Sequence, residues 1–421
     1  MSSASSGGQQ PRTSRRDFIR RSSWLVAGGA VGTGLSSARP ARVFGSDAIR
    51  VGLIGCGRRG TNAAMQALGT TGGPVHLVAM ADTFGDRLQG AYRALKSRHV
   101  ASVDVPSERR FVGADAFRRL LDCSVDIVLL TAPPVFRPLH FAAAVASGKH
   151  VFMEKPVAVD VPGVRVVLEA SEAARRQGLA VSVGLQRRHD PAYQEIIAQL
   201  QSGAIGEIRL ARAYWNSTPQ GVPERKAGQG ELDFQLRNWQ HFAWLSGRPV
   251  VEQHIHNLDV INWLKKSHPV SAQGHGARAD GVAEASDQHF VEFTYPDGTK
   301  LISQCRRAAG CWNNVSEHAH GTHGRADISG GKIYDSNGAI VWQTRSSHSG
   351  HELQQRSLFA ALRGGEVPND GEAAAISTLT SILGRMAAES GQWVTWDELL
   401  NSSAILARVR ADGVAEPTCP V

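Results

Sequence analysis

The sequence predicts an α/β protein, with a doubly wound parallel sheet in its first half and an open, mostly antiparallel sheet with helices in its second. Three observations carry that prediction. Between residues 48 and 186 short apolar runs alternate with helical stretches, the pattern of parallel strands joined by crossover helices. After Arg187 the strands lengthen and turns such as Pro296-Asp297-Gly298 separate them, which favours antiparallel pairing. A glycine loop, Gly55-Cys56-Gly57-Arg58-Arg59-Gly60, stands directly between the first strand and the first helix.

Taken in order, strands are expected at 49–54, 76–81, 126–131, 149–153 and 180–185, with helices between them such as 60–68 and 139–147. The second half offers strands at 208–215, 288–295 and 300–306, then a helix and short strand over 381–396 with a structural role. Eight tryptophans, at 215, 239, 244, 263, 312, 342, 393 and 396, fall in this half. The expected division is 1–46 signal and linker, 47–186 first domain, and 187–421 second domain.

Composition removes several classes. The 421 residues are 42% hydrophobic and 20% charged, enough for two or three cored domains and too apolar for a disordered chain. No run reaches the roughly 18 apolar residues of a membrane span. The formal charge of +8 suggests nucleic acid only until it is located: residues 1–42 hold seven arginines against Asp17, so the rest of the chain is nearly neutral. No phosphate-tracking surface follows, and no nucleic-acid partner is expected. The basic segment Ser14-Arg15-Arg16-Asp17-Phe18, a short apolar run to Leu35 and then Ser36-Ser37-Ala38 have the layout of a signal peptide. The paired arginines resemble a twin-arginine signal, which implies export to the periplasm by that machinery; a disordered basic arm or a short uncleaved anchor are the alternatives. Five cysteines (56, 123, 305, 311 and 419) make no disulfide scaffold or zinc spacing, although Cys305 and Cys311 are near enough in sequence to pair.

The glycine loop carries the first chemistry. Gly55 permits a tight turn, Gly57 lets backbone approach a pyrophosphate, and Gly60 lets helix pack on strand. Asp82 ends the second strand twenty-two residues after Gly60, where an acid binds ribose hydroxyls. That context makes the first domain a Rossmann domain for NAD. NADP is disfavoured by the Asp82 charge, though Arg58, Arg59 or Arg87 could soften the preference.

Ligands in such sheets lie beyond the carboxyl ends of the strands. Thr131-Ala132-Pro133-Pro134 ends one strand and Glu154-Lys155-Pro156 ends another. The proline keeps Lys155 extended, so its amine can share a proton with a substrate oxygen during hydride transfer, or can simply pair with Glu154 or another acid. Gly55–Gly60, Thr131–Pro134, His140, Gly148-Lys149-His150-Val151, Glu154-Lys155-Pro156 and Gly184-Leu185-Gln186-Arg187-Arg188 together resemble the Gfo/Idh/MocA family of glucose–fructose oxidoreductase and inositol dehydrogenase. The resemblance implies a Rossmann domain joined to an open-faced α/β sheet, and NAD(P)-dependent oxidation or reduction of a secondary carbon of a sugar or cyclitol. It places Lys155 beside the nicotinamide, and Thr131, Pro133 and Glu154 around the cofactor.

Glu252-Gln253-His254-Ile255-His256-Asn257-Leu258-Asp259 resembles the same family's Asp-x-Gly-x-His-x-x-Asp signature, with Glu252 for the aspartate and His254 for the glycine. The resemblance makes His256 the proton acceptor. On a helix Glu252, His256 and Asp259 share one face, so Glu252 is expected to orient His256. A capped helix or a metal site of Glu252, His254 and His256 are the other readings, and no metal is expected. Gln186, Arg188, Trp239 and Asp259 are candidate substrate contacts. Two readings compete with an oxidoreductase of retained cofactor: a redox-neutral glycoside hydrolase or lyase of this fold, and a non-catalytic sugar-binding protein. The open sheet suggests a homodimer or homotetramer.

Overall fold

The computed structural model describes residues 43–219, 221–277 and 288–418. The proposed signal segment and Cys419 lie outside the described residues.

The first sheet contains β1 (Ile49–Ile54), β2 (Val75–Asp82), β3 (Arg110–Val112), β4 (Ile127–Leu130), β5 (His150–Met153) and β6 (Val181–Val183). All six are parallel, in the order β3-β2-β1-β4-β5-β6. Nearly every residue of β1, β4, β5 and β6 is buried, because helices cover both faces. Ile49, Leu53, Leu77, Met80 and Phe152 form the centre of that core. The chain leaves β1 to one side and β4 to the other, so a crevice opens beyond their carboxyl ends. The three-residue β3 was not among the expected strands. It is too short, and too exposed, to leave an apolar signature.

The second sheet has nine strands: β7 (Ile208–Ser217), β8 (Ser271–Ala277), β9 (Gln288–Thr294), β10 (Lys300–Arg307), β11 (Asn314–Gly321), β12 (Gly324–Asp327), β13 (Lys332–Asp335), β14 (Ile340–Gln343) and β15 (Val394–Thr395). Only β7 and β10 pair in parallel. Ala211, Ala213, Val291, Phe293, Leu301 and Cys305 point to one face, which the helices Ile255–Lys265 and Gly371–Ser390 cover. A Cβ on Gly384 would lie 2.6 Å from the Phe293 ring, so glycine is what lets the longer helix seat. The opposite face carries Arg212, Tyr214, Phe290 and His318, exposed or half-buried. Cys305 is buried and Cys311 exposed, and the two are not joined in a disulfide.

The chain then returns to the first sheet. Leu358, Phe359 and Leu362 of the helix Gly350–Gly364 join the same core as Ile49 and Leu53. The last described strands, β16 (Ala407–Val409) and β17 (Ala415–Pro417), form a hairpin whose Ala411 carbonyl accepts from Arg118 Nε and Nη2 at 2.9 and 2.7 Å.

Candidate active site

The glycine loop is shaped by close approaches and one opening. Gly55 has φ +94°, and a Cβ there would lie 2.5 Å from the Ala132 amide nitrogen. A Cβ on Gly60 would lie 1.9 Å from the Gly55 carbonyl oxygen, which accepts a 2.6 Å hydrogen bond from Thr131 Oγ1. At Gly57 an added Cβ would meet nothing within 4 Å. That open space, at the start of the helix Arg58–Leu68, is where a pyrophosphate fits against the helix N-terminus. The Asp82 carboxylate accepts from the Cys56 amide (2.6 Å) and the Phe84 amide (2.8 Å). Burial raises its pKa while those two amides pull it down. Each oxygen keeps a lone pair for ribose hydroxyls. These residues therefore suit a dinucleotide with a free ribose.

A cleft runs along this loop, lined by Asp82, Phe84, Arg87, Pro133, Phe117 and His140. Leu236, Trp239 and Gly413, all from the second half of the chain, line it as well. Trp239 thus faces the dinucleotide cleft rather than a substrate, because the segment carrying it crosses to the first sheet. Arg237 fastens that crossing: its guanidinium lies 2.9 Å from Asp86 and 4.0 Å from the centre of the Phe84 ring. Its carbonyl oxygen accepts from Arg87 Nη2 at 2.7 Å.

Arg58 is exposed beside the loop. Arg59 does not face the cofactor cleft. Its Nε donates to Glu154 (2.5 Å), Nη1 to Gln66 (3.1 Å) and Nη2 to His351 Nδ1 (3.3 Å), which consumes the fork. Burial would raise Glu154, but Arg59, Lys155 and Arg137 outweigh it and hold the carboxylate low. Glu154 is thereby a brace for Arg59, seated where a side chain on Gly184 would clash at 2.7 Å.

Lys155 extends from the end of β5, joined to Pro156 by a cis bond. Its Nζ donates to Glu252 Oε1 at 3.1 Å and also to the Glu252 carbonyl oxygen. This corrects the expectation that Glu252 orients His256. The chain does not run as one helix there: Pro249–Glu252 ends, Gln253 and His254 turn, and Ile255–Lys265 begins. His256 instead sets its ring against Trp215, with centroids 6.2 Å apart, and the ring makes no hydrogen bond among the described residues. Burial, with the charges of Lys155, Arg187, His351 and Arg59, pushes its pKa well below the usual histidine value. It is a neutral acceptor. His254 turns away into the sheet, its Nε2 2.7 Å from Ser303 Oγ, so Glu252, His254 and His256 do not converge.

One further expected substrate contact, Asp259, is corrected, and Arg188 is found paired with it. Arg188 donates to Asp259 through Nε (2.9 Å) and Nη2 (2.8 Å), and Ser377 donates to the same carboxylate at 2.7 Å. Asp259 is 1% exposed, so this pair clamps the turn at 186–189 to the helix Ile255–Lys265 and its carboxylate offers nothing to a ligand, whereas the Arg188 side chain is 28% exposed. Gln186 sits in that turn with Oε1 buried and unpartnered. The neighbouring Arg187, which sequence reasoning passed over, is the one of the two arginines whose charge acts on His256. His351 was also missed. It reaches the site because a Cβ on Gly350 would lie 2.4 Å from the Gln186 carbonyl oxygen, which allows that helix to approach closely. No local pattern announces it.

Fold and site define a class: proteins that join an NAD-binding Rossmann domain to an α/β domain with an open sheet, and set groups from both at the strand ends. The model of an oxidoreductase family with an NAD-binding Rossmann fold matches residues 49–185, and that of the GFO/IDH/MocA C-terminal domain matches residues 193–327. The chain belongs to the Gfo/Idh/MocA family. Among curated relatives, inositol 2-dehydrogenase 3 of Saccharopolyspora erythraea is 29% identical over 53% of this chain and 56% of its own length. Inositol 2-dehydrogenase of Acidothermus cellulolyticus is 33% identical over 51% and 53%. The chain thus spans little more than half the length of these relatives. Among solved structures, scyllo-inositol dehydrogenase from Lactobacillus casei has a TM-score of 0.62 at 19% identity, covering 84% of this chain and 99% of that one. Aldose-aldose oxidoreductase from Caulobacter crescentus, complexed with glycerol, has a TM-score of 0.65 at 18% identity, covering 82% and 99%. At such identities the likeness is one of fold.

Proposed function

We propose that this protein transfers a hydride between NAD and a secondary carbon of a sugar, cyclitol or glycoside. The observation that carries the reading is the Lys155–Glu252 pair. It joins the strand end beside the dinucleotide cradle to the segment holding His256. NAD supplies the hydride acceptor when bound. Gly55, Gly57, Gly60 and Asp82 hold it, Lys155 hydrogen-bonds the reacting oxygen, and neutral His256 takes the hydroxyl proton. The inositol dehydrogenase relatives support a polyol substrate.

The cofactor is retained between turnovers. Leu236 and Trp239 close on the cleft, and Arg237 ties their segment to Asp86. A retained cofactor requires reoxidation in place, either by a second sugar in ping-pong fashion or by the same substrate in a redox-neutral reaction. The arginine pair Arg15-Arg16 supports export by the twin-arginine route, which carries folded protein with its cofactor aboard. The open face of the nine-stranded sheet is the place for a second copy in a homodimer or homotetramer.

The test is single-turnover mixing of the purified, NAD-loaded protein with a panel of sugars and cyclitols. A reduced-nicotinamide absorbance band, lasting or transient, supports hydride transfer. Its absence with every polyol rejects it. Fractionating cells that express the full chain tests export: an uncleaved cytoplasmic protein rejects that part.

A further inference from the structure

Four arginines are buried among the described residues: Arg137, Arg248, Arg307 and Arg385. Three are held by a carboxylate or by two carbonyl oxygens. Arg137 donates to the Pro156 and Ala132 carbonyl oxygens at 2.7 and 2.6 Å. Arg385 Nη1 donates to those of Val159 and Gly247 at 2.9 and 3.1 Å. Arg248 lies 2.6 Å from Glu389. Arg307 differs. It is 3% exposed, yet among the described residues its guanidinium makes one hydrogen bond, from Nε to Gln253 Oε1 at 3.3 Å, and no ion pair. Both terminal nitrogens are left over. A largely buried guanidinium without a counter-charge is destabilising unless something else completes it.

Its position says what would complete it. Arg307 ends β10 beside Ser217, two residues beyond the pairing of Cys305 with Trp215. Side chains alternate along a strand, so Arg307 shares the face of Ser303, Cys305 and Trp215, the face turned toward His254 and His256. Gln253, its one partner, directly follows Glu252, which holds Lys155. A second orphan stands close by. His241, from the turn Trp239–His241, is 7% exposed with Nδ1 buried and unpartnered, and the Arg307 charge acts on it. Two buried polar groups from separate elements thus come together next to the segment that carries Glu252, His241 with Nδ1 unpartnered and Arg307 held by Gln253 alone.

We infer that the substrate of this site is a sugar acid, whose carboxylate is held by the Arg307 fork while the reacting carbon lies at Lys155 and His256. This rests on the hydride-transfer reading and narrows its substrate class. A planar guanidinium with two free parallel N–H groups matches a carboxylate, and such charge-assisted bonds discriminate by about 10- to 100-fold.

The test uses the NAD-loaded protein and paired probes in titration calorimetry: D-glucuronate against D-glucose, and D-galacturonate against D-galactose, with glucose 6-phosphate as a third arm. At least one acid is expected to bind ~10-fold or more tighter than its neutral partner. Arg307→Met is expected to bring that ratio close to one and, by removing an uncompensated buried charge, to raise the melting temperature of the ligand-free protein. Arg307→Lys, which keeps the charge and loses the fork, is expected to fall between. Equal binding of acid and neutral sugar, a preference that survives in Arg307→Met, or tighter binding of the phosphate than of either acid overturns the assignment. Nicotinamide reduction is read separately. Acid binding without reduction leaves the sugar-acid site standing and rejects hydride transfer, whereas reduction with no acid preference does the reverse.

Discussion

Glu252 holds Lys155, not His256: the carboxylate carried by the second sheet's helices grips the amine at the end of β5 at 3.1 Å, across 97 positions of sequence. The two side chains are 12% and 10% exposed, and Glu252 Oε2 is already buried without a partner. Lys155→Met is therefore expected to lower turnover by about 100-fold or more while NAD still binds. It strands a buried carboxylate, and should lower stability by about 3–5 kcal/mol. Adding Glu252→Gln should recover most of the stability and none of the turnover. Urea unfolding of the two single variants and the double variant measures the coupling; additive losses contradict the pairing.

Gly57 and Gly60 separate binding from folding. A side chain at Gly57 meets nothing in the ligand-free protein, while one at Gly60 strikes the Gly55 carbonyl oxygen at 1.9 Å. Gly57→Val should melt close to the wild type, within ~2 °C, yet bind NAD at least ~10-fold more weakly. Gly60→Val should fold poorly. Similar melting and similar NAD affinity for both variants would contradict the cradle.

Three buried histidines set the acid limit of stability. Burial lowers His140, His254 and His289 each to about 3, helped at His140 by Arg137. In the unfolded chain each takes up a proton as the pH falls through ~6.5, and in the native protein not until about 3. Between those values the unfolded state binds more protons, so stability is full above ~6.5 and falls as the pH drops, by ~1.4 kcal/mol per pH unit for each histidine. His140 packs between Phe117 and Phe136, at 4.5 and 6.0 Å between ring centres, so phenylalanine suits the site. His140→Phe should flatten the stability slope between about pH 5.5 and 4 by one histidine's share. An unchanged slope in a series of urea titrations would refute it.

Cofactor retention is expected to depend on the segment over the cleft. Trp239→Ala should speed NAD release by about tenfold. Arg237→Ala should speed it by only about two- to fivefold, because Arg237 is 31% and Asp86 66% exposed and such surface pairs are weak. Stopped-flow displacement of bound NAD measures both, and release unchanged in the tryptophan variant would count against enclosure.

What the sequence made legible was local. β1, the glycine loop and Asp82 lie within thirty-four residues, and each signals through its own chemistry: apolar run, missing side chains, acid at a strand end. The partners of Lys155 and Arg59 were not legible, since Glu252 and His351 arrive by tertiary packing. Helical spacing misled at Glu252 and His256 because Gln253 and His254 interrupt the helix. In the turn Gln186–His189 two adjacent arginines diverge, Arg187 to Glu317 and Arg188 to Asp259, and nothing in their order tells which approaches His256. The four-residue strands β12, β13 and β14 are separated by tight turns and carry too few residues to show alternation.

The most direct test of the hydride-transfer account is a single-turnover comparison of the wild type and Lys155→Met, each loaded with NAD and mixed with an excess of the best-bound probe from the sugar and sugar-acid panel. The account predicts that the wild type forms up to one equivalent of reduced nicotinamide per site, and that Lys155→Met, with the cofactor still bound, forms it at least ~100-fold more slowly. Equal rates in the two proteins would contradict the role given to Lys155, and no reduced nicotinamide from the wild type would contradict hydride transfer itself.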